Sequence, residues 1–519
     1  MSSTGLASFS FFRNIETYMI AEEVTRQIQS DFGFVPTQDQ SLAIQTFSLF
    51  LTDNGDRVCM IMRGSAGTGK TSVAGAIVRM LKRLRQKVVL LAPTGRAAKV
   101  FSEKSEHDAF TIHRRIYRQK TLYGGFELAP NMMSDTLFMV DESSMIANFG
   151  QIENVFGNGR LLDDLISFVY SGRNCRLLLI GDKAQLPPVG EEESPALNPD
   201  FMAGYGLVVY DVDINQVLRQ SQNSGVLYNA TVIRQMITHD EMTELPKIRL
   251  SCFADISVVS GNELVESLSS SYSSAGIDDT IVITRSNKRA NIYNQGIRNM
   301  VLDKEEMIDS GDILMIVKNN YYWMEKEIRA ILKNSSNTPR KDGQNLSQST
   351  PVDWQQMKLP AFLANGDHAV VQRVRNVRQL YGFNFADLWL CFPDYDNYEL
   401  KVTVLTDSLL TEAPSLTSEQ STQLLNAVME DYADIRIKSE RMKKMKENPY
   451  FNAIQIKYAY AITCHKAQGG QWSHVYIDQG YMTDDMLTPD YIHWLYTAFT
   501  RATDHLYLVN WPTSQIEES

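Results

Sequence analysis

Residues 64–71, which read G-S-A-G-T-G-K-T, have the residue types and spacing that point most directly to chemistry. An apolar run at 58–62 precedes them and a helix-like run at 72–84 follows, which is the context that a phosphate-binding loop requires. In such a loop the glycines let the backbone wrap around a polyphosphate, and the N–H groups face its negative charge. Lys70 would reach the outer phosphates. The sequence therefore predicts a nucleoside-triphosphate site; a glycine-rich turn with an unrelated lysine is the alternative.

Two carboxylates follow another apolar run, at 137–140, and would lie at the carboxyl edge of a parallel sheet, where ligands collect. Asp141 and the Thr71 hydroxyl would hold Mg²⁺, while Glu142 would polarise the water that attacks the terminal phosphate. An Asp-Glu pair after an apolar strand is common by chance, but here it follows a phosphate-binding loop in the same predicted sheet. The loop residues predicted to bind ATP are Gly64, Ser65, Ala66, Gly67, Thr68, Gly69, Lys70, Thr71 and Ser72.

Two arginines are candidates for neutralising the charge that develops as the terminal phosphoryl group leaves. Arg219 lies in V-L-R-Q, and Arg501 lies in Y-T-A-F-T-R-A. Either one alone could be a salt-bridge residue. Because one falls near the end of each predicted α/β unit, we expect a nucleotide clamped between two lobes that open and close during hydrolysis.

The composition is typical of a soluble, multi-domain protein. The chain has 519 residues, too many for one ordinary core, with 44% apolar and 21% charged residues. No apolar run approaches the ~20 residues that cross a bilayer, and the start lacks a leader pattern, so a cytoplasmic protein without a membrane segment is expected. Five cysteines are scattered singly, which indicates neither zinc nor disulfides.

The net charge of −11 is unfavourable for binding nucleic acid, but a net charge does not reveal local basic patches. Between Arg79 and Lys120, twelve Lys or Arg residues occur against three acids. Either a solvated helix face at 79–87 or a phosphate-binding patch explains the first part of this run; the later cluster at 114–120 lies beyond that helix and favours the patch.

Strand-like apolar runs alternate with helical stretches along the chain, which predicts α/β layers around parallel sheets. The runs are 58–62, 87–91, 136–140, 176–180, 208–210, 281–284, 474–477 and 505–509. Since the phosphate-binding loop occurs once, a second α/β unit without its own loop is the economical interpretation, with a break near 220–225.

Two regions depart from this alternation of strands and helices. In the first, the polar residues 333–350 predict an exposed loop, and short β-like runs at 368–374, 388–392 and 399–405 predict a small barrel. Residues 416–446 in the same region predict one helix with a basic end. Between 111 and 135, a Gly-Gly link at 124–125 joins two β-favouring runs and predicts a hairpin with Tyr123 and Phe126 at its tip. An ordinary surface turn is the alternative for that link.

Taken in order, the motifs resemble those of superfamily one DNA helicases, specifically the RecD-like and Dda-type branch. The segments that carry the resemblance are 37–40, 64–71, 92–98, 111–113, 140–143, 181–190, 217–220, 463–469 and 496–502, of which 181–190 with 463–469 is the most discriminating pair. The resemblance covers nearly the whole chain. The 333–350 loop and the 416–446 helix have no counterpart that we can place, so their roles stay open.

The resemblance implies a role for individual positions. Gln40 would read the adenine, Gln185 would sense the terminal phosphate, Arg219 and Arg501 would complete the ATP site, and Gly469 would adjoin it. Single-stranded DNA would contact segments 93–98, 111–113 and 463–469 through its phosphates and sugars rather than its base edges. The residues expected to contact DNA are Pro93, Thr94, Gly95, Arg96, Thr111, His113, Tyr123, Phe126, Thr463, His465 and Lys466. For His113 and His465, a packing role is the alternative.

The resulting prediction is an α/β protein with two RecA-like P-loop NTPase domains. The first motor domain would span 1–113 and 136–220, with a strand-separating pin at 114–135. The second would span 221–305 and 450–519, with an insertion at 306–449 that contains a small barrel of the Src-homology-three kind. Function would be ATP- and Mg²⁺-dependent movement 5′ to 3′ on single-stranded DNA, with unwinding at junctions, by a monomer. An RNA helicase or remodeller, or a nucleotide-switched DNA-binding ATPase, remains the alternative.

Overall fold

The computed structural model describes residues 4–119, 126–149, 157–216, 224–239, 244–336, 360, 362–483 and 486–517, with the side chains of 4–17, 119 and 332–336 excepted. Arg219 and Tyr123 therefore lie outside the described residues, as does most of the polar 333–350 segment. None of the described helices has the length and apolar content needed to cross a bilayer.

The secondary structure alternates helices and strands, as the sequence predicts. The helices are α1 Thr4–Phe32, α2 Gln38–Thr52, α3 Lys70–Arg83, α4 Gly95–Ser105, α5 Ile112–Ile116, α6 Leu161–Ser171, α7 Pro199–Ala203, α8 Gly225–His239, α9 Leu264–Ser274, α10 Asn287–Gly296, α11 Tyr322–Ser336, α12 Ser418–Glu430, α13 Lys438–Lys446, α14 Cys464–Ala467 and α15 Pro489–Phe499. The strands are β1 Val58–Gly64, β2 Lys87–Ala92, β3 Ala109–Thr111, β4 Tyr117–Gln119, β5 Phe126–Leu128, β6 Thr136–Val140, β7 Arg176–Gly181, β8 Val208–Ile214, β9 Ile256–Val259, β10 Thr280–Thr284, β11 Ile313–Ile316, β12 His368–Leu380, β13 Phe383–Phe392, β14 Tyr398–Leu405, β15 Ile454–Tyr458, β16 Ala461–Thr463, β17 Trp472–Asp478 and β18 Ala502–Val509.

The chain divides into two compact units. The first contains Met1–Val258 together with Ala467–Ile477 and Tyr481–Ser519, and the second contains Val259–Lys466 and Asp478–Gly480. Within the range 450–519, which the sequence places in a second motor domain, residues 467–477 and 481–519 belong to the first unit and the others to the second. The predicted domain boundaries stay a prediction.

The first unit is built on a six-stranded sheet in the order β3-β2-β6-β7-β1-β8. Every neighbouring pair is parallel, and β1 and β6 are buried along their full length. Burial on both faces explains why these strands read as continuous apolar runs instead of alternating ones. One core joins β1, β6 and β7 to helices α1, α2 and α3. In the same unit β17 and β18 pair in parallel.

A two-stranded antiparallel hairpin, β4 with β5, lies within the first unit, in the predicted position of the pin. Phe126 pairs with Gln119, the described pair nearest the turn, and its side chain is buried. Burial of this apolar ring stabilises the hairpin against the rest of the unit. Residues 120–125, which include Tyr123 and the Gly-Gly link, lie outside the described residues.

The second unit combines a parallel pair, β10 with β16, and a closed barrel of β11, β12, β13, β14 and β15. The three strands predicted for the barrel are β12, β13 and β14; the sequence analysis missed the short strands β11 and β15 that close it. The predicted fold class, α/β with parallel sheets, a hairpin and a barrel-containing insertion, is confirmed.

The single helix predicted at 416–446 is wrong, because two helices, α12 and α13, occupy this stretch with a break between them. At the break the Arg441 guanidinium donates to the carbonyl of Ile435 through Nε at 3.1 Å and through Nη2 at 2.7 Å. A side chain thereby satisfies a backbone acceptor that a continuous helix would have satisfied. Both helices bury apolar residues in one cluster with the barrel, Leu424 and Val428 from α12 and Met445 from α13.

Candidate active site

A cavity of about 460 Å³ opens at the carboxyl ends of the central strands of the first unit. Its lining contains residues far apart in the sequence, and every one of them belongs to this unit. They are Ser65, Ala66, Gly67, Gly69, Lys70, Thr71, Ser72, Ala97, Val100, Lys104, Asp141, Glu142, Gly181, Gln185, Gly469, Gln471, Thr500 and Arg501.

The loop between β1 and α3 forms one side of the cavity. Gly69 has φ +84°, a left-handed conformation that a side chain would strain, and it places the N-terminus of α3 directly after the turn. The ammonium of Lys70 donates to the carbonyls of Gly64 at 2.6 Å and Ser65 at 2.9 Å. Because the loop gathers backbone N–H groups, a helix N-terminus and an ammonium, this side of the cavity is suited to anions.

The two carboxylates that follow β6 line the cavity next to this loop. Burial raises the pKa of Asp141 to about 6, and the negative charge of Glu142 adds to the shift. The Glu142 backbone N–H donates to Asp141 Oδ1 at 2.8 Å, and Glu142 itself has φ +51° and ψ +38°. A non-glycine residue in this conformation is strained by of order 1–3 kcal/mol, and such strain clusters at functional sites.

Gln185 enters the cavity from the loop after β7. Its side chain is 7% exposed, and its Oε1 atom is buried without a hydrogen-bond partner among the described residues. The Ser65 hydroxyl is in the same situation. A buried polar atom with no partner costs about 1–3 kcal/mol, so both atoms are ready to bond a polar group in the cavity.

Arg501 closes the C-terminal side and is 3% exposed. Its guanidinium donates to the carbonyls of Thr497 at 3.0 Å and Gly470 at 3.1 Å, and to the Thr500 hydroxyl at 3.0 Å. None of these acceptors is a carboxylate. The arginine is therefore held in a fixed position with its positive charge uncompensated by them, as an anion-facing arginine requires.

Four hydrogen bonds tie the Gln185 loop to the C-terminal segments of the same unit. The Tyr496 hydroxyl donates to Asp182 Oδ2 at 2.5 Å, and the Leu186 N–H donates to Thr497 Oγ1 at 2.8 Å. The remaining two join Gln468 Nε2 to Leu186 O at 2.7 Å and His493 Nδ1 to Ala184 O at 2.9 Å.

Tyr496 also reaches the phosphate-binding loop, because the Ala66 N–H donates to its hydroxyl at 3.1 Å. Burial and the adjacent Asp182 carboxylate raise the pKa of the Tyr496 phenol, which keeps its proton and stays a donor. One phenol thus contacts the loop of Lys70 and the loop of Gln185 at once.

These observations fit a nucleoside triphosphate with Mg²⁺. The Lys70 ammonium, the helix N-terminus and Arg501 supply positive potential for a polyphosphate, and the unpartnered Ser65 and Gln185 atoms offer bonding capacity. Thr71 and Asp141, a hydroxyl and a carboxylate in the same lining, are the oxygen ligands that Mg²⁺ prefers.

Comparison with known proteins gives matches to both halves of this site. Residues 52–191 match the family model described as an AAA domain, and residues 458–509 match the UvrD-like helicase C-terminal domain. The ATP-dependent RecD2 DNA helicase of Deinococcus radiodurans is 33% identical over 132 residues, which is 25% of this chain and 16% of that protein. The ATP-dependent DNA helicase Dda of Enterobacteria phage T4 is 27% identical over 180 residues, 33% of this chain and 37% of that protein.

The predicted resemblance to superfamily one helicases of the RecD-like and Dda-type branch is confirmed. This chain spans well under half of the RecD2 and Dda helicases in the matched regions. An uncharacterised protein of Acanthamoeba polyphaga mimivirus, R530, is 20% identical across 90% of this chain and 98% of its own length. Among solved structures, a Bacteroides Pif1 helicase with ADP-AlF3 and single-stranded DNA matches 94% of this chain and 95% of its own at 14% identity, with a TM-score of 0.43.

Of the residues predicted for ATP, the structure gathers Lys70, Glu142, Gln185 and Arg501 in the cavity. Gln40, Gly64 and Thr68 are not in its lining. Gln40 is 1% exposed; its Oε1 accepts from the Thr37 N–H at 3.0 Å, and its Nε2 donates to the Thr68 carbonyl at 2.8 Å. The side chain therefore completes a helix cap and braces the phosphate-binding loop.

The DNA candidates of the first unit have structural partners of their own. Thr94 and Thr111 cap α4 and α5 through the N–H groups of Ala97 at 3.2 Å and Arg114 at 3.3 Å. Arg96 donates to the Gln471 carbonyl at 2.9 Å and lies over the Trp472 ring at 4.1 Å.

Burial lowers the pKa of His113, another candidate, to about 4, so it is neutral at physiological pH. A neutral imidazole can pack or form hydrogen bonds, but it brings no charge to a phosphate. His113 therefore fits the packing alternative better than a role as a cationic DNA contact.

In the second unit, Thr463, His465 and Lys466 follow one another from the end of β16 through α14. His465 is exposed, whereas the Lys466 ammonium donates to Asn365 Oδ1. Burial lowers the pKa of Lys466 to about 8, which leaves it mostly protonated at neutral pH.

Sequence reasoning missed Tyr496, Asp182 and Thr497 as parts of the site. The signal was present in α15, where His493, Tyr496 and Thr497 are three and four residues apart and so share one face. All three project polar atoms from a helix that is buried along most of its length, a combination that demands nearby partners.

Proposed function

We propose that this chain is an ATP-driven DNA helicase that moves 5′ to 3′ along single-stranded DNA and unwinds duplexes at junctions. The observation that carries the proposal is the composition of the cavity. A phosphate-binding loop, an Asp-Glu pair, a glutamine and a buried arginine from the other end of the chain line one space. These are the groups that phosphoryl transfer with a mechanical output uses.

In this proposal each residue of the cavity has a separable task. Lys70 and the N–H groups of its loop hold the phosphates, Thr71 and Asp141 hold Mg²⁺, and Glu142 orients and deprotonates the attacking water. Bound Mg²⁺ would supply charge neutralisation on the phosphate oxygens. Arg501 stabilises the negative charge that develops, and the unpartnered Oε1 of Gln185 accepts a hydrogen bond from the attacking water.

Coupling to movement would run through the Gln185 loop. Its contacts with Gln468, His493, Tyr496 and Thr497 join the chemistry to segments that resemble DNA-facing motifs of related helicases. A change at the terminal phosphate that shifts Gln185 also strains these bonds. That coupling is what a motor needs and a simple phosphate hydrolase does not.

The choice of DNA as the track, and of the 5′-to-3′ direction, is supported by the resemblance to the RecD-like and Dda-type branch. Two relatives, the RecD2 and Dda helicases, are DNA helicases, which supports the same choice. We further propose that the hairpin β4–β5 separates the strands, that two motor domains follow the limits given by the sequence, and that one chain suffices in the cytoplasm.

The test is an unwinding assay with two partial duplexes that differ only in having a 5′ or a 3′ single-stranded overhang. We expect ATP-dependent unwinding of the 5′ substrate alone. Unwinding only of the 3′ substrate refutes the direction, and the absence of unwinding from both, in a chain that hydrolyses ATP with DNA, refutes the helicase assignment.

Two further comparisons separate the alternatives. Stimulation of ATP hydrolysis by matched DNA and RNA strands distinguishes a DNA helicase from an RNA remodeller, since phosphate contacts alone do not. Displacement of streptavidin from a biotinylated single strand distinguishes movement from switched binding, because a stationary ATPase leaves the streptavidin in place.

A further inference from the structure

One strand of the closed barrel in the second unit, β12, extends beyond its pairing with β11. β12 pairs with β11 only at His368, Ala369 and Val370, whereas its pairing with β13 continues to Leu380. From Arg373 onward, no strand among the described residues covers the other side of β12. Its backbone N–H and C=O groups on that side pair with no described strand, and the ladder to β13 has one irregularity in this stretch, between Arg375 and Arg378.

The exposed residues along this edge include two arginines and two apolar residues, with Asn376 and Gln379 among them. Arg373 and Arg375 are exposed, Val377 is 68% exposed, and Leu380 is 37% exposed. Residues two apart on a strand face the same side and are ~6.6–6.8 Å apart. The two arginines therefore form a repeat that matches side chains at alternate positions of an extended peptide.

A tryptophan holds these cations in place. Trp389 lies directly opposite Arg373 on β12 and opposite Lys401 on β14. The Arg373 and Arg375 guanidinium groups are each 5.7 Å from the centre of a Trp389 ring, and the Lys401 ammonium is 4.8 Å from it. Cation–π attraction of ~0.5–1 kcal/mol per contact at exposed positions fixes the positive groups without neutralising them.

Acids near this patch do not neutralise the three cations either. Asp387 is opposite Arg375, but its carboxylate is bonded to Asn376 at 2.9 Å, Arg378 at 2.8 Å and Thr403 at 2.9 Å. Glu399, two residues before Lys401, is the other acid on this face. None of the three cations forms an ion pair with a carboxylate of the described residues.

These features favour an acidic polypeptide over three other occupants. A second copy of β12 would bring arginines against arginines, which repel. A second possible occupant is the segment of this chain between α11 and β12, residues 337–361. It has more basic than acidic residues, so it does not complement the arginines. A nucleic acid would use the cations, but it has no use for a free strand edge or for Val377 and Leu380, and the Trp389 ring already carries cations where a base would stack.

We propose that the β12 edge, from Arg373 to Leu380, binds an extended acidic segment of a partner protein, which adds to the barrel as a strand. Main-chain bonds would supply affinity, and acidic side chains at alternate positions would pair with Arg373 and Arg375. Apolar side chains at neighbouring positions would cover Val377 and Leu380. This proposal concerns the second unit and stands independently of the helicase assignment.

The experiment measures binding of a labelled peptide of about ten residues, one strand in length, with Glu alternating with Val and Thr. Fluorescence anisotropy is recorded with the full chain, without nucleotide or DNA. The test variant is Arg373→Glu with Arg375→Glu, and the matched control is Lys438→Glu with Lys446→Glu, two exposed lysines of α13 in the same unit. Both double variants change the net charge equally, and thermal melts confirm that both are folded.

We expect the unaltered chain and the control to bind the peptide equally, and the test variant to bind it about tenfold more weakly. Hydrogen exchange should slow at amides of 373–380 when the peptide is present. Failure of the unaltered chain to bind, equal binding by both variants, or protection elsewhere overturns the proposal. It is also overturned if the test variant loses affinity for a labelled DNA strand while the peptide binds none of the proteins, because the patch then serves nucleic acid.

Discussion

At the scale of single residues, the phosphate-binding loop shows how backbone geometry fixes a charged side chain. The Lys70 ammonium rests on two carbonyls of its own loop, Gly64 O and Ser65 O. Neutral acceptors hold it without cancelling its charge, in contrast to a carboxylate partner. The loop therefore fixes the position of the Lys70 ammonium, and the ammonium supplies the positive charge.

Replacement of Lys70 with alanine should abolish DNA-stimulated ATP hydrolysis, with kcat reduced by about 10²–10³-fold, because a preorganised charge is lost from the phosphate site. Lys82→Ala is the matched control, since Lys82 lies exposed on the same helix and contacts only the Glu106 carbonyl among its described partners. Steady-state turnover of both variants checks this. Undiminished turnover in Lys70→Ala would exclude the loop as the catalytic site.

Tyr496→Phe should lower kcat about tenfold with a much smaller change in KM. The substitution keeps the ring but removes the oxygen that joins Ala66 N to Asp182, and each group left unpaired costs about 1–3 kcal/mol. We expect the effect on kcat because, in the proposed mechanism, the phenol positions the two loops that contain Lys70 and Gln185 instead of binding substrate.

The control for this prediction is Tyr170→Phe, which removes another phenol of the same unit, one that donates to the Val58 carbonyl at 2.7 Å. It should reduce thermal stability and leave kcat and KM unchanged. If both variants lose stability and neither alters kcat, Tyr496 is a packing residue and the positioning role is wrong.

At the scale of elements, both strands of the hairpin β4–β5 are attached to α6 and to the residues just before it. The Tyr117 hydroxyl donates to Asp164 Oδ2 at 2.7 Å, and the Gly157 N–H donates to the Phe126 carbonyl at 2.9 Å. One bond holds each strand. A wedge that separates strands needs such a rigid base, because a force on a loosely attached hairpin would move the hairpin instead of the duplex.

Gly157→Ala should destabilise the first unit by roughly 1–3 kcal/mol. Gly157 has φ +44°, and a Cβ atom there would lie 1.9 Å from Asp164 Oδ2. Gly206→Ala is the control, since Gly206 has φ +73° with nothing within 4 Å of an added Cβ, so only the backbone strain of about 1 kcal/mol remains. Chemical denaturation compares the two, and equal losses would show that the contact with Asp164 adds nothing.

The barrel contains a carboxyl group whose titration should be visible in stability. Asp367 is 4% exposed and accepts from the Ala364 N–H at 2.7 Å and the Tyr395 hydroxyl at 3.0 Å. Burial raises its pKa from the ordinary 3.8 to about 7. Because the folded state holds this proton more tightly than the unfolded chain, the stabilising contribution is complete below pH ~4 and is lost as pH rises towards 7.

Asp367→Asn should therefore flatten the fall in unfolding free energy between pH 4 and 7, as followed by denaturation of the full chain across that range. Asp434→Asn, which changes an exposed carboxyl of the same unit, should leave the slope as it is. An unchanged slope in Asp367→Asn would mean that this carboxyl titrates normally in the folded protein.

Elements also show what the sequence can and cannot predict. β1, β6 and β7 are buried on both faces, so unbroken apolar runs revealed them. β3 and β16 have three residues each, and β11 has four, which is too short for a periodic signal, and their pairing depends on contacts distant in sequence.

The candidate site divides in the same way. Lys70, Asp141 and Gln185 could be predicted because local motifs specify them. Tyr496 could not, since its importance comes from two partners that are hundreds of residues away.

At the scale of the whole molecule, the chain leaves the first unit after Val258 and returns to it at Ala467. Those returning segments supply Gly469, Gln471, Thr500 and Arg501 to the cavity and hold the Gln185 loop. The cavity that we propose binds the nucleotide is thus assembled from both ends of the sequence. A ligand in this cavity must stabilise the N-terminal and C-terminal parts together, because it contacts groups from each.

Hydrogen exchange with and without saturating ADP and Mg²⁺ should reveal that joint stabilisation. At 100 times its dissociation constant a ligand stabilises what it binds by ~2.7 kcal/mol. We expect slower exchange in the phosphate-binding loop, in the loop after β7 and in residues 468–472 and 496–501, while the barrel strands β12, β13 and β14 exchange as before. Lys70→Ala should show none of these changes, which attributes them to the nucleotide. Protection confined to residues 64–71 would mean that the C-terminal segments do not contribute to binding, and the role of Arg501 would then be wrong.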